Sequence, residues 1–268
     1  MAAVSAVAAR TGGNHARGLA TWLARYVLPP VVTLIVLMGV WVLAASRSHP
    51  WTLPGPALVW NAFVTSWQSG TFQPAFVRTL EEAILGWAIG SALALPVGYV
   101  LSRWSLLERA TTPYIGASQA VPVIAIAPLL LGLTGFGIES KLILAALLAF
   151  FPVVATTIAG LRGINKDLRD VARAFGANWW QTIVYLEAPR AARSILAGER
   201  IAIVLALVGA YVGELVNPDQ GLGALVLSGE NSFQIPLAFA GVIAFMFMGA
   251  ILFALISTFE RIVIQWTD

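Results

Sequence analysis

Residues 142–161 read LILAALLAFFPVVATTIAGL, and none of these twenty side chains carries a charge. A hydrocarbon core about 30 Å thick is crossed by roughly 20 apolar residues in an α-helix, so this run predicts a transmembrane helix. Five further runs resemble it, and the predicted spans are residues 26–45, 79–101, 112–133, 142–161, 201–216 and 236–259. The sequence therefore predicts an all-α, polytopic membrane protein with six transmembrane helices.

The composition also favours a lipid environment and disfavours several classes of function. Of the 268 residues, 59% are hydrophobic and 11% charged, whereas soluble domains carry about 25% charged residues. The absence of cysteine excludes disulfides, thiolate chemistry and cysteine-ligated metal sites. The two histidines, His15 and His49, lie outside the predicted spans, which disfavours a membrane-embedded enzyme or metal site. The net charge of +3, carried on short loops, does not indicate a nucleic-acid partner.

The placement of basic residues predicts the orientation, because cytoplasmic loops of membrane proteins are enriched in lysine and arginine. With the N-terminus inside, the inside segments carry 13 of the 16 basic residues, and Arg47, Arg78 and Lys141 remain outside. Both termini are therefore predicted to be cytoplasmic. Residues 1–25 are predicted to form a cytoplasmic arm and residues 26–268 the transmembrane domain. A cleaved signal peptide is the disfavoured alternative, since the first apolar run exceeds the usual length of about 7–15 residues.

The segment between the first two spans contains one more predicted helix. The motif LPGP at residues 53–56 is expected to end the first span, and residues 57–67 are expected to form a short helix in the membrane interface. Trp51, Trp60 and Trp67 suit the headgroup level, where tryptophan is enriched.

Residues 162–200 form the largest predicted inside loop, and its pattern predicts two short helices. Apolar residues recur with the spacing of one helix face at Leu168, Val171, Ala172 and Phe175. Gly176 is expected to end this helix in the left-handed conformation, and a second amphipathic piece from Trp179 is expected to end at Pro189. A linker lying on the membrane surface and a docking element for a soluble partner both fit this pattern.

The same loop resembles the cytoplasmic signature of binding-protein-dependent ABC importer permeases. That signature reads glutamate-alanine-alanine, three residues, glycine, nine residues, isoleucine-x-leucine-proline. This chain has matching spacing at Asp170-Val171-Ala172, Gly176, Leu186, Ala188 and Pro189. It departs from the signature in having aspartate, valine, leucine and alanine at Asp170, Val171, Leu186 and Ala188.

Flanking segments are similar to the branch of the family that imports nitrate, taurine, alkanesulfonates, thiamine precursors and riboflavin. The matching stretches are PVIAIAPL at 122–129, GFG at 135–137, Lys141, FFP at 150–152, Gly213-Glu214 and GLG at 221–223. The resemblance covers residues 78–265. It implies the type I ABC importer permease fold in a bacterial inner membrane. It also implies a second permease subunit, most simply an identical copy, with two ABC ATPase subunits and an extracytoplasmic substrate-binding protein.

The resemblance further implies that the loop couples the permease to the ATPase. The implied coupling residues are Asp170, Val171, Ala172, Phe175, Gly176, Trp179, Trp180, Leu186 and Pro189, with Asp170 pairing with a basic residue of the ATPase. A phosphate-binding loop needs a lysine directly after a glycine, and neither Lys141 nor Lys166 follows one. We therefore expect no catalytic residue, cofactor or metal on this chain, with ATP and Mg²⁺ bound by the partner ATPase.

Polar residues inside spans are costly and frequently functional. Residues predicted to lie along the translocation pathway are Ser118, Gln119, Pro122, Gly209, Gly213 and Glu214. For Ser118, Gln119 and Pro122, a helix–helix hydrogen bond and a kink are the alternative. A face of small residues from Ala202 to Gly213 is expected to pack closely, with the dimer axis as one location. For Glu81 and Glu82, solvation at the interface is the favoured interpretation.

The sequence at residues 212–214 and 135–137 is similar to that of the thiamine-precursor and riboflavin members of the family. This similarity favours a thiamine precursor or a riboflavin-like heteroaromatic solute as the cargo. Sulfonate, taurine, nitrate or bicarbonate is the alternative. An ion-driven secondary transporter predicts related halves and charged pairs near the midplane, and the sequence shows neither. A structural or assembly protein without a pore also remains open at this stage.

Overall fold

The computed structural model describes Arg25, residues 28–118 and residues 120–264, and within them the chain is α-helical without β-strands. The predicted cytoplasmic arm, apart from Arg25, and the predicted pathway residue Gln119 lie outside the described residues. The chain separates into two compact units, residues 1–60 and 61–268. The first unit contains helix α1 (Leu28–Ser46), in which no residue is buried and whose large apolar side chains are suited to lipid contact. Helix α2 (Pro56–Gln68) confirms the predicted short helix and extends across the boundary between the units.

The second unit contains the remaining helices. They are α3 (Phe72–Arg103), α4 (Ser105–Ser118), α5 (Val123–Thr134), α6 (Ile138–Arg162), α7 (Lys166–Ala174), α8 (Trp179–Gln181), α9 (Ala188–Val216), α10 (Leu222–Asn231) and α11 (Ile235–Ile264). A π-helical segment, Thr182–Glu187, joins α8 to α9, so Trp179–Val216 is one continuous helical rod of 38 residues. Helix α10, between the last two spans, was not predicted from the sequence.

Among the described residues, five helices are long and apolar enough to cross a membrane, and a sixth crossing results if the bent pair α4–α5 is one span. The sequence predicted a single kinked helix over residues 112–133. The structure instead breaks it after Ser118 and turns the chain by 99° before α5. Pro122 explains the restart, because proline lacks the N–H group that a continuing helix needs and suits the start of a new one. It occupies the N-cap of α5 with extended ψ.

Helix α6 lies at the centre of the second unit, and small residues let α3 and α9 pack closely against it. A Cβ atom on Gly209 of α9 would lie 2.7 Å from the Cα of Ala145, and one on Gly90 of α3 would lie 2.5 Å from the carbonyl oxygen of Ala146. Cβ atoms do not approach that closely in packed proteins, so neither glycine can be enlarged without moving a helix. The small-residue face of α9 therefore packs inside the chain, and its predicted location at the dimer axis is wrong.

The prediction that the second helix of the 162–200 segment ends at Pro189 is also wrong. Pro189 lies in the first turn of α9, within the continuous rod, and α9 begins before the predicted span 201–216. A proline inside an α-helix clashes with the carbonyl four residues earlier. The π-helical segment just before it widens the helix, with the N–H of Ala188 donating to the carbonyl of Ile183. This local widening is the structural feature that accompanies passage of the helix through proline.

Candidate functional site

The elbow, residues 165–189, is a helix–turn–helix in which both helix starts are capped by side chains. Asn165 accepts a hydrogen bond from the backbone N–H of Asp167 (3.0 Å) at the start of α7. Asn178 and Gln181 form a reciprocal capping box at the start of α8, with both hydrogen bonds at 2.8 Å. The caps satisfy backbone groups that would otherwise favour fraying, so the elbow is rigid at both helix starts.

Gly176 ends α7 in the left-handed conformation with φ of +79°, which confirms the sequence prediction. The N–H of Ala177 donates to the carbonyl of Ala172 (3.0 Å), and the N–H of Gly176 donates to the carbonyl of Arg173 (2.9 Å). This pair of hydrogen bonds is a Schellman motif. The glycine is required by its backbone angle alone, since no atom lies within 4 Å of the place where a Cβ would stand.

The elbow presents an aromatic surface that the described part of the chain does not cover. Its five most exposed large apolar residues are Val171, Phe175, Trp179, Trp180 and Tyr185, and Phe175 is 88% exposed. Four of these five were predicted to contact an ATPase, and Tyr185 was missed because it follows no motif position. Ala172, Leu186 and Pro189 are half-buried and support the elbow from behind. Asp170 is exposed and lies 3.4 Å from Arg173, a surface pair of small energetic value.

Behind the elbow, Glu187 is a fully buried carboxylate that the sequence analysis did not single out. Its Oε2 accepts from Arg103 at the end of α3 (2.7 Å), and its Oε1 accepts from Arg169 of α7 (2.8 Å). Arg169 also donates to the carbonyl of Leu161 at the end of α6 (2.7 Å). One carboxylate thus joins the elbow to the ends of two long helices. Only its position before a helical proline could have drawn attention to it.

A second charge cluster lies at the other end of α6, and we call it the Lys141 cluster: Arg78, Glu82, Lys141 and Asp219. Lys141 and Glu82 are both fully buried, with Nζ and Oε1 3.5 Å apart, and Arg78 Nε lies 3.0 Å from the same oxygen. Lys141 also pairs with Asp219, whose side chain is partly exposed. The expectation of a solvated carboxylate therefore holds for Glu81, which is half-exposed, and is wrong for Glu82.

Asp219 lies in the loop between α9 and α10 and is the solvent-facing member of this cluster. Partial burial raises its pKa, but the hydrogen bonds from Lys141 and from the backbone N–H of Gln220, with the charge of Lys141, outweigh that effect. The net result is a pKa of Asp219 below its ordinary value of 3.8. Asp219 is therefore ionised at neutral pH and available to balance the buried ammonium group.

Glu214, predicted to lie on the pathway, is fully buried next to this cluster. Its Oε1 accepts from Thr79 (2.6 Å) and its Oε2 from the backbone N–H of Gly223 (2.6 Å), while Leu222 N–H donates to Thr79 (2.8 Å). Gly221 has φ of +113°, and a Cβ there would run into the Glu214 carboxyl. Glu214 thus fixes the start of α10 against α3 and α9. Its role in the pathway stays a prediction, and the geometry favours a structural role.

The other predicted pathway residues are scattered in the structure. Gly209 and Gly213 face the backbone of α6 at Ala145 and Lys141. The hydroxyl of Ser118 donates to the carbonyl of Ile115 in its own helix (2.7 Å), so it makes a local bond. Pro122 stands at the break between α4 and α5. The structure does not bring these residues together, and their place in a pathway stays a prediction.

Two further charged contacts link α9 to its neighbours, and the sequence analysis missed both. The buried Glu199 accepts from Trp87 Nε1 and from the hydroxyl of Ser91, each at 2.6 Å. The adjacent Arg200 points to α11, where its Nε lies 3.0 Å from Glu260. Consecutive residues therefore brace α9 against α3 on one side and α11 on the other.

Comparisons with known proteins bear on the family and the fold of the chain. The sequence model of the family described as "Binding-protein-dependent transport system inner membrane component" matches residues 86–268. The chain is 37% identical over 237 residues to the riboflavin transport system permease protein RibX of Chloroflexus aurantiacus, covering 88% of each chain. It is 32% identical to the formylaminopyrimidine transport permease protein ThiX of Halalkalibacterium halodurans, covering 89% of this chain and 96% of that one.

Two other similarities bear on the fold and on the alternatives for cargo. The putative aliphatic sulfonates transport permease protein SsuC of Bacillus subtilis is 30% identical, covering 92% of this chain and 88% of that one. A structure of the MetNI methionine ABC transporter in an inward-facing conformation is similar in fold, with a TM-score of 0.61 at 16% identity. It covers 70% of this chain and 94% of that chain.

Proposed function

The chain belongs to the family of binding-protein-dependent transport system inner membrane components, and on that premise we propose a small heteroaromatic solute as its cargo. It is a permease of an ABC transport system rather than an enzyme, with the helical fold of an ABC importer permease. The proposal adds to this the class of solute, the element that couples transport to ATP hydrolysis, and the partners.

The proposed cargo rests on the relatives that share most of their length with this chain. Two of them are named for the transport of riboflavin and of formylaminopyrimidine, which are heteroaromatic compounds with several nitrogen atoms. An aliphatic sulfonate is the second candidate, because the sulfonate permease of Bacillus subtilis is 30% identical over nearly the whole chain. The higher identity to the riboflavin permease puts the heteroaromatic class first.

The proposed coupling element is the elbow, and its exposed aromatic surface is the observation that carries the proposal. A turn that holds Phe175, Trp179 and Trp180 in solvent costs free energy unless a partner covers it. Its capped helices and Schellman motif give it the stiffness needed to pass a displacement to the spans. Aromatic residues are also the type that contributes most to binding energy at protein interfaces.

The proposed assembly follows from this role. Two ATPase subunits, binding ATP and Mg²⁺, would contact the elbows of two permease subunits, most simply two copies of this chain. The basic residues around the elbow, including Arg162, Arg169 and Arg173, favour a cytoplasmic location for it and for both termini. An extracytoplasmic binding protein would deliver the solute at the opposite end, where the Lys141 cluster lies.

The proposal is tested by reconstituting the permease with its ATPase and binding protein in liposomes and following radiolabelled solutes. We expect ATP-dependent uptake of riboflavin or a formylaminopyrimidine, and no ATP-dependent uptake of an alkanesulfonate. A preference for the alkanesulfonate would replace the first candidate by the second. Uptake that persists without ATP, or a purified permease that retains no ATPase, would contradict the coupling role of the elbow.

A further inference from the structure

We propose that Glu187 is the joint that transmits the movement of the elbow to the long helices, as a positioning residue for transport. This inference rests on the proposed coupling role of the elbow and goes beyond it by naming the contact that carries the force. Glu187 is the last residue of the π-helical segment Thr182–Glu187 and lies directly before α9. It belongs to the rod that becomes the span α9.

The geometry joins four elements at this single side chain. Its two oxygens accept from two different arginines, Arg103 of α3 at 2.7 Å and Arg169 of α7 at 2.8 Å. Through its second nitrogen, Arg169 also holds the last turn of α6 at the carbonyl of Leu161, 2.7 Å away. The ends of α3, α6 and α7 and the start of α9 are therefore tied together within one hydrogen-bonded group.

Burial makes this junction stronger than a surface ion pair. Glu187 is fully buried, and the side chains of Arg103 and Arg169 are only 29% and 19% exposed. Charge-assisted hydrogen bonds from arginine forks are directional as well as strong, so a rotation of α7 must move Glu187 or break a costly bond. The second half of the elbow continues directly into α9, so Glu187 adds the contact that ties α7 and the end of α3 to that rod.

The exposed pair Asp170–Arg173 offers no comparable path. Both side chains are about 70% exposed, and the two residues belong to the same helix. Such a pair contributes little to stability and connects α7 to nothing else. A force applied to α7 can therefore reach α3 and the start of α9 through Glu187, with the half-buried residues of the elbow serving as packing.

The test uses the variant Glu187→Gln, which keeps the size of the side chain and removes its charge. In the reconstituted complex we expect the amount of solute transported per ATP to fall roughly 5- to 100-fold, the range of usual coupling between sites, while ATP hydrolysis persists. The matched control is Glu260→Gln, which removes the charge of another interhelical pair, with Arg200, away from the elbow. This variant is expected to transport as much solute per ATP hydrolysed as the wild type.

A second variant and a second measurement guard against misfolding of the first. Arg169→Met releases only α7, because Glu187 keeps its bond to Arg103. The chain contains no cysteine, so spin labels can be placed on Val97→Cys in α3 and Lys166→Cys in α7, both exposed positions. We expect one narrow distance distribution in the otherwise unaltered permease and a broader or shifted one with Arg169→Met or Glu187→Gln.

An unchanged distance distribution together with an unchanged transport ratio in Arg169→Met would overturn the proposal. The distances are measured on the permease alone, so they test the joint even if the wild-type complex transports nothing. If the wild-type complex transports nothing, the proposed function fails. The role of Glu187 is then tested by the spin-label distances alone. A coupled wild type with fully coupled variants would instead overturn the joint and leave the proposed function intact.

Discussion

The two ends of α6 carry charge clusters of opposite character. Lys141 near its start is surrounded by Glu82 and Asp219, whereas Leu161 near its end is linked through Arg169 to Glu187. About 30 Å of helix separates them, given a rise of 1.5 Å per residue. Both clusters bury a charge between α3 and α9, and the elbow continues into a surface with several exposed aromatic residues, Phe175, Trp179, Trp180 and Tyr185. The difference fits the proposed function, in which one end holds helices together and the other holds them while contacting a partner.

The largest effect on stability is expected at the Lys141 cluster, where Lys141 and Glu82 are both fully buried. Lys141→Met leaves Glu82 with Arg78 as its one close cation, and breaking a buried pair typically costs about 3–5 kcal/mol. Unfolding of the purified permease, followed by tryptophan fluorescence, should shift to a clearly lower temperature. The matched control is Lys166→Met at the elbow, the other lysine of the chain, which is exposed. Equal melting temperatures for both variants would erase the contrast between the two ends.

The next effect separates exposed aromatics at the two ends. Phe175 of the elbow is 88% exposed and Phe136, just before α6, is 80% exposed. Phe175→Ala should weaken ATPase binding by about 2 kcal/mol, roughly 30-fold, if it is a hot spot of that interface. Phe136→Ala should leave ATPase binding unchanged, since it lies at the far end. The affinity of each variant is measured by titrating ATPase onto the immobilised permease. Equal losses of affinity in the two variants would contradict the proposal that the ATPase binds at the elbow.

A smaller effect compares two glycines that both have a positive φ. Gly176 has φ of +79° and Gly135 has φ of +83°, and neither would bring a Cβ within 4 Å of another atom. Valine at either position should cost about 1–3 kcal/mol of backbone strain, seen as a drop in melting temperature for each variant. Gly176→Val is also expected to lower transport per ATP, whereas Gly135→Val is not. If both variants keep the wild-type ratio, the shape of the elbow is irrelevant to coupling.

The smallest effect concerns Asp219, the exposed member of the Lys141 cluster. Its pKa is lower in the folded protein than its ordinary value of 3.8, so its contribution to stability is complete above that value and disappears as pH falls through the folded pKa. Because the side chain is 44% exposed, the contribution should be under about 1 kcal/mol. Asp219→Asn should therefore lower the melting temperature slightly near pH 6 and not at all near pH 2. A difference that grows on acidification would contradict this sign.

Much of the fold could be predicted because its signals are local. Apolar runs near the thickness of a bilayer predicted the spans, and a glycine at the end of an amphipathic helical pattern predicted the left-handed turn at Gly176, which the structure has. Local signals gave wrong predictions where another part of the structure offsets the unfavourable residue. Pro189 was expected to stop a helix, but the π-helical segment before it lets the helix continue. Glu82 was expected in water, but Lys141 from a distant helix accompanies it into the interior.

The candidate site was predictable on its outer surface and not behind it. The exposed residues of the elbow follow motif positions, so Phe175, Trp179 and Trp180 could be chosen from the sequence. Glu187 could not, because its importance lies in Arg103, a residue 84 positions away. The burial of Glu214 likewise could not be predicted from the sequence, because its partner Thr79 is 135 positions distant.

By itself, the sequence determined that the chain crosses a membrane repeatedly and that a glycine-terminated helix interrupts the crossings. These properties follow from hydropathy and backbone preference, which act over a few neighbouring residues. Only the tertiary structure decided which charges meet, that α6 is the central helix, and that the small-residue face of α9 packs inside the chain. The physical reason is that a buried charge depends on a partner from another helix, and the register of packed helices sets which partner arrives.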